Sequence, residues 1–312
     1  VRSARKFHAI RTGIVALAIG LLCACDRTPV APPATPGATQ PSVVTVASLV
    51  PAASELILGM GAGDRLVAVS NFDLADDRTA ALPRVGDYQT IDWEKLAEVR
   101  PGAMVVQFDA NRIPPGLQQR ASSLGIAIIN IRNNRLDEVF KTIEQIGDGL
   151  NFPTQKASAT LRGQLDRVAA SVAGKPPVRT LILTDDRAKG AAGPETFLDD
   201  LLTIAGGMNV LADATTPYPQ VDREQLRALA PEAIIALRPA ATPQEVEQTR
   251  ATLAMLTDLP AVRNGRVYIL TEPWALLPGW RVGELAERFA AALHPPAATA
   301  THATTSPTPA VR

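Results

Sequence analysis

The chain repeats itself. Tyr88-Gln-Thr-Ile-Asp92-Trp-Glu94-Lys-Leu96-Ala-Glu-Val-Arg-Pro101-Gly-Ala103-Met-Val and Tyr218-Pro-Gln-Val-Asp222-Arg-Glu224-Gln-Leu226-Arg-Ala-Leu-Ala-Pro231-Glu-Ala233-Ile-Ile carry Tyr, Asp, Glu, Leu, Pro and Ala at identical spacing, 130 positions apart. Each copy reads as a short helix stopped by proline and followed by a buried strand. The pattern therefore predicts two similar α/β lobes, with function lying between them. A length of 312 residues agrees, since it exceeds what one small core needs.

Composition narrows the class. Hydrophobic residues make up 46% and charged residues 20%, with 31 basic against 31 acidic side chains. That balance describes a water-soluble body without the electrostatic footprint of a nucleic-acid binder, so no nucleic-acid partner is expected. The first 25 residues differ: Arg2, Arg5, Lys6 and Arg11 precede an apolar run, Ile14 to Leu22, too short to span a bilayer. Residues 1–25 read as a secretory signal whose end, Leu22-Cys23-Ala24-Cys25, resembles a bacterial lipobox with Cys25 as the acylated position. Residues 26–42, rich in Pro, Ala and Thr, read as a disordered spacer, and residues 295–312 as a disordered tail. No cysteine follows Cys25, which excludes disulfides, a zinc-thiolate site and a cysteine nucleophile in the body. The protein is thus expected on the membrane through a lipid anchor, with its body in water.

Strand and helix signals alternate through the body. Val43 to Leu49 is a β-branched run before Pro51, which opens a helix reaching Gly59; Leu66 to Ser70, Met104 to Val106 and Ile126 to Ile129 read as further strands. Asp92 to Arg100 reads as a short helix, and Leu136 to Leu150 as a longer one closing the first lobe at residue 152. Pro153 to Ala173 then forms a rigid connector helix within residues 153–174. The second lobe, 175–294, restarts with the strand Thr180 to Leu183 and continues through the helix Thr196 to Ala205 and a turn at Gly206-Gly207. It ends with the strand Arg266 to Leu270 and the helix Gly283 to Leu293. Strands alternating with helices predict parallel sheets.

The inventory of reactive side chains argues against catalysis. The three histidines fall in the signal, at the domain edge and in the tail, which leaves no imidazole for a Ser-His-Asp triad, for zinc or for haem. No metal site and no resident cofactor is expected. Gly59-Met-Gly61-Ala-Gly63 follows a helix instead of opening one, so it reads as a helix stop. Glu94 and Glu224 lie in the first turn after Asp92 and Asp222, two residues from Leu96 and Leu226. Two residues turn a helix by about 200°, so leucines facing the core turn both glutamates to solvent. Two equivalent carboxylates on related lobes suit a two-fold symmetric partner with basic pockets. Tyr88, Tyr218, Trp274 and Phe108 lie in loops at lobe ends, where open α/β folds place ligands, with Asp73 and Arg281 as candidate polar contacts.

At these residues the chain resembles the substrate-binding proteins of ABC importers for cobalamin, ferric siderophores and haem. The similarity runs from about Val43 to Leu293 and is carried by Ala47-Ser-Leu-Val-Pro-Ala-Ala-Ser-Glu-Leu-Ile57, Gly63-Asp-Arg-Leu-Val-Ala-Val69, Leu82-Pro-Arg-Val-Gly86 and Thr216-Pro-Tyr-Pro-Gln-Val-Asp-Arg-Glu-Gln-Leu226. The resemblance implies two parallel-sheet α/β lobes joined by a single long connector helix, the class III periplasmic-binding-protein fold. It implies docking onto the arginines of an ABC permease dimer by Glu94 and Glu224, and enclosure of the ligand by Tyr88, Tyr218, Trp274 and Phe108. Tyrosine stands at two sites where cobalamin binders carry tryptophan, and Trp280 stands where the family usually has proline.

The expected protein is a lipid-anchored solute receptor, monomeric when free, that captures a corrinoid or ferric chelate and performs no covalent chemistry. A ferric-siderophore or haem receptor is the alternative within the class. From other classes come a cell-envelope enzyme using Asp185, Asp186 and Glu195, which share one loop region, and a sensor or scaffold of the same fold.

Overall fold

Short apolar runs ended by helix-start signals make strand and helix alternate through both halves. The computed structural model describes residues 43–87, 89–109, 111–185 and 190–295. The predicted signal, Cys25, the spacer, Tyr88, Asp186 and the tail beyond residue 295 lie outside them. The first half runs β1 Val46–Ser48, α1 Pro51–Gly59, β2 Leu66–Ala68, α2 Trp93–Val99, β3 Ala103–Val106, α3 Leu117–Ser123, β4 Ala127–Asn130 and α4 Leu136–Leu150. Helix α5, Gln155–Val172, leads to the second: β5 Val178–Leu183, α6 Phe197–Ile204, β6 Gly207–Asn209, α7 Arg223–Leu229, β7 Ala233–Leu237, α8 Pro243–Ala254, α9 Pro260–Arg263, β8 Val267–Leu270 and α10 Val282–Leu293.

Each half holds one four-stranded parallel sheet, in the orders β2-β1-β3-β4 and β6-β5-β7-β8. Adding four to every strand number of the first order gives the second. The repeat seen in two segments is therefore a repeat of whole lobes, and the molecule is a pair of parallel-sheet α/β lobes. Within the repeated unit the two helices are built alike. The Asp92 carboxylate accepts from the Lys95 amide at 3.0 Å and Asp222 from the Gln225 amide at 2.8 Å, each satisfying an orphan donor of a helix start. Leu96 and Leu226 are buried. The helix stop differs from the expectation: Arg100 (φ 51°) and Ala230 (φ 43°) adopt the left-handed conformation and close the last turn onto the carbonyls of Leu96 and Leu226. Pro101 and Pro231 follow that stop and prevent the helix from resuming.

Strand alternation divides the apolar residues into three clusters. One face of each sheet, through Val46, Ala103 and Val105 in the first lobe and Ile182, Ala233 and Ile235 in the second, packs on a helical layer of α1, α4, α5, α6 and α10 that both lobes share. The opposite faces have their own cores, around Leu49, Met104 and Leu96 in one lobe and Leu181, Leu226 and Ile234 in the other. Helix α5, about 27 Å long at 1.5 Å per residue, buries a stripe of Ala157, Leu161, Leu165, Val168 and Val172 in that shared layer. The lobes are thus separate as sheets but continuous through one core. The predicted Gly206-Gly207 turn sits one residue earlier, at Ala205-Gly206 with Gly206 at φ 76°; Gly207 already opens β6, where a Cβ would lie 2.2 Å from Leu202. Glycine is needed for that close approach, which is why the sequence looks like a turn.

Candidate functional site

Parallel strands leave each sheet by one edge, and the loops emerging there face the gap between lobes. In the first lobe the strand order reverses between β1 and β3. Val50 and Pro51 carry β1 directly into α1, with Pro51 in the first turn where a missing N–H costs nothing. Two cavities, both bordered by Pro51, lie between the lobes. The larger, about 570 Å³, has Ser54, Glu55, Asp73 and Asp76 on its first-lobe side and Trp274 and Arg281 opposite. The smaller, about 380 Å³, has Leu49 to Ala52 and Gln107 on one side and Phe197, Tyr218 and Leu277 on the other. Each volume lies in the range of small-molecule sites, and the two share Pro51 in their lining.

Local chemistry shapes the larger cavity. The loop after β2 is folded on itself: Arg84 Nη1 donates to the carbonyls of Ser70 at 2.6 Å and Asp73 at 3.1 Å, while the Ser70 amide donates to the Asp73 carboxylate at 3.0 Å. Burial pushes the Asp73 carboxyl above its usual range. The Ser54 hydroxyl approaches Asp73 without closing a hydrogen bond of normal length. Arg78 donates to both Asp76 oxygens, at 2.9 and 2.6 Å, and these bonds bring Asp76 down to about 2. Glu55, the sole charged residue of α1, is pushed up to about 7 by burial, an effect that the Arg281 charge partly offsets. Arg281 Nε lies 3.9 Å from Glu55 Oε1, and its guanidinium sits 5.6 Å from the Trp274 ring centroid. Trp280 covers the end of α1: a Cβ on Gly59 would lie 2.1 Å from its ring.

Of the residues singled out from sequence, Asp73, Trp274 and Arg281 meet at this larger cavity. Trp274 is only 6% exposed and belongs to the shared core, so it contributes an edge of wall more than an open platform. Tyr218, 51% exposed, stands at the smaller cavity, and desolvation raises its phenol above the ordinary value. Phe108 is not brought to either. It borders a third, smaller hollow of about 180 Å³ with Trp93 and Leu117, its backbone pinned by Asn130 through bonds of 2.8 and 3.0 Å. Glu94 and Glu224 are exposed in the first turns of α2 and α7. Among the described carboxylates of the enzyme alternative, Asp185 accepts from the Gly190 amide at 2.8 Å and so serves its loop, while Glu195 is exposed at φ 60°. Among the described residues no group of three or more His, Cys, Asp or Glu is arranged to hold a metal ion.

Sequence reasoning missed Glu55, Asp76 and Arg78. The available signal for Glu55 was a single charged residue in a mostly apolar nine-residue helix. Asp76-Asp77-Arg78 reads in sequence as solvated loop, and only the cavity gives it meaning.

The chain is similar to known proteins in sequence and fold. A vitamin B12-binding protein of Vibrio cholerae is 28% identical over 245 residues, covering 78% of this chain and 86% of the relative. The solved structure of the periplasmic vitamin B12 binding protein BtuF of Vibrio cholerae superposes with a TM-score of 0.66 at 26% identity, covering 80% of this chain and 96% of that one. The periplasmic haem binding protein HutB of Vibrio cholerae, at 22% identity, TM-score 0.68 and coverage of 81% and 100%, shares the fold. These relatives are substrate-binding proteins, not enzymes. The periplasmic binding protein family matches residues 46–273, a span that takes in both sheets and the connector, and the chain belongs to that family.

Proposed function

We propose that this protein is the extracytoplasmic receptor of an ABC importer, which takes a cobalamin-like corrinoid into the interlobe cleft and delivers it to a permease dimer. The observation that carries this reading is the pair of cavities at the carboxyl ends of the strands, lined from both lobes and set in a frame similar to vitamin B12-binding proteins. The ligand would lie against Tyr218 and the Trp274 edge, with Asp73 and Arg281 at its polar rim. Cys25 would hold the chain to the membrane, and the receptor would act as a monomer.

Delivery in this reading runs through Glu94 and Glu224. They are equivalent positions on equivalent helices, each exposed beside a buried leucine that fixes its helix face. Such a matched pair suits the two-fold symmetry of a permease. Reversing both charges, Glu94→Lys with Glu224→Lys, is expected to lower corrinoid uptake at least tenfold in cells while ligand affinity of the purified protein stays within twofold. Uptake at the parental rate would remove the docking assignment.

A further inference from the structure

The polar wall of the larger cavity is mostly acidic, and two of its polar atoms, Ser54 Oγ and Glu55 Oε2, are buried without a hydrogen-bond partner among the described residues. Three carboxylates, Glu55, Asp73 and Asp76, share it with two guanidiniums. Neither guanidinium is unengaged: Arg78 is closed in a two-point pair with Asp76, and Arg281 lies over Trp274 with Nε 3.9 Å from Glu55. Glu55 Oε2 is buried with no hydrogen-bond partner among the described residues, on a side chain 12% exposed. Close approach of the chain at Gly279 keeps it there, since a Cβ on that residue would lie 2.5 Å from the oxygen. A buried carboxylate oxygen left without a donor is costly, and native structures rarely retain one without use.

A ligand edge entering this space meets one of two outcomes. An edge of neutral donors, such as primary amides, supplies the hydrogen bond that Glu55 Oε2 lacks. An edge bearing carboxylates meets three acidic groups and must compete for guanidiniums already held. Resting on the receptor reading above, we infer that the Glu55–Asp73–Asp76 wall sets specificity, selecting ligands rimmed by neutral hydrogen-bond donors and rejecting those rimmed by carboxylates.

Protonation tunes the rejection. Glu55 faces Arg281, Glu284, Asp73 and Asp76, with Arg78 also within electrostatic reach. Burial, the largest of these influences, sets its pKa at about 7. Below that pH Glu55 is neutral and Arg281 is freed to meet a carboxylate, so discrimination weakens on acidification.

Calorimetric titration of the full chain with cyanocobalamin, which has an amide rim, and with haemin, which carries two propionates, tests the inference at pH 6 and pH 8. Cobalamin should bind at least tenfold tighter than haemin at pH 8, and the gap should narrow at least threefold at pH 6. Glu55→Gln should weaken cobalamin, tighten haemin and abolish the pH dependence of their ratio. Asp76→Asn, in an exposed pair, should tighten haemin by freeing Arg78 and serves should Glu55→Gln fail to fold. Haemin binding as tightly as cobalamin at pH 8, or an affinity ratio unmoved by both substitutions, would overturn the inference. Cobalamin binding with no effect of either variant sinks this inference alone, whereas heat from neither ligand sinks the corrinoid reading with it.

Discussion

Glu55 is held where an ionised side chain is expensive, and its effect on stability has a definite sign. Unfolded, the carboxyl ionises near 4.5; folded, at about 7. Between those values the folded chain keeps a proton that the unfolded chain has lost, so this group's favourable contribution is complete below 4.5 and disappears as pH rises to 7. Above 7 the buried charge is a penalty on the order of 3 kcal/mol. Glu55→Gln is therefore expected to raise Tm at pH 8 by several degrees and by much less at pH 5, read from circular-dichroism melts; about 1 kcal/mol moves Tm by roughly 2–4 °C in a chain of this size. A larger gain at pH 5 than at pH 8 would contradict the burial argument. Such residues differ in how far sequence reveals them. Glu94 and Glu224 could be placed on the solvent face from two-residue offsets alone, because the helix supplies the geometry. Glu55 could not, because the segment that buries it, Leu276 to Arg281, arrives from more than two hundred positions away.

Helix α6 joins the lobes through its first turn. Asp200, in the first turn of α6, accepts from the Leu136 amide and from Arg135 Nε, both at 2.9 Å, and from Arg135 Nη2. Beside it the Phe197 amide donates to the Asn134 carbonyl at 2.6 Å, which gives an orphan donor of α6 a partner in the other lobe. Asp200→Ala leaves the Arg135 charge and the Leu136 amide without that acceptor and is expected to cost about 2 kcal/mol, measured by urea unfolding; a loss under about 0.5 kcal/mol would show the clasp to be incidental. Elements of this kind were readable where local signals were complete. Helix α4 runs from Leu136 to Leu150 as its apolar period and glycine-rich end predict. Helix α8 was missed because only Thr249 and Leu253 of its twelve residues are buried, so it has no apolar period. Its signal was instead the capping box Thr242–Glu245, with both reciprocal bonds formed, at 3.3 and 2.7 Å. Strand β6 was hidden by its own glycine.

Two lobes with the same strand permutation are joined by one shared helical layer and an 18-residue connector. That architecture explains why the lobes were visible in the sequence while the shared core was not: the repeat encodes what is common to the halves, and the helices joining them are the parts that do not repeat. It also explains why the loop aromatics fared unevenly. Their loops leave the correct edge of each sheet, but whether a ring reaches the cleft depends on neighbouring loops, as the burial of Trp274 and the separate hollow of Phe108 illustrate. The most direct measurement of the central claim is an equilibrium titration of the full chain with cyanocobalamin, followed by its visible bands. The account predicts one saturable site per chain with Kd below about 1 μM; no spectral change at any concentration, with saturable binding of a ferric siderophore instead, would contradict it.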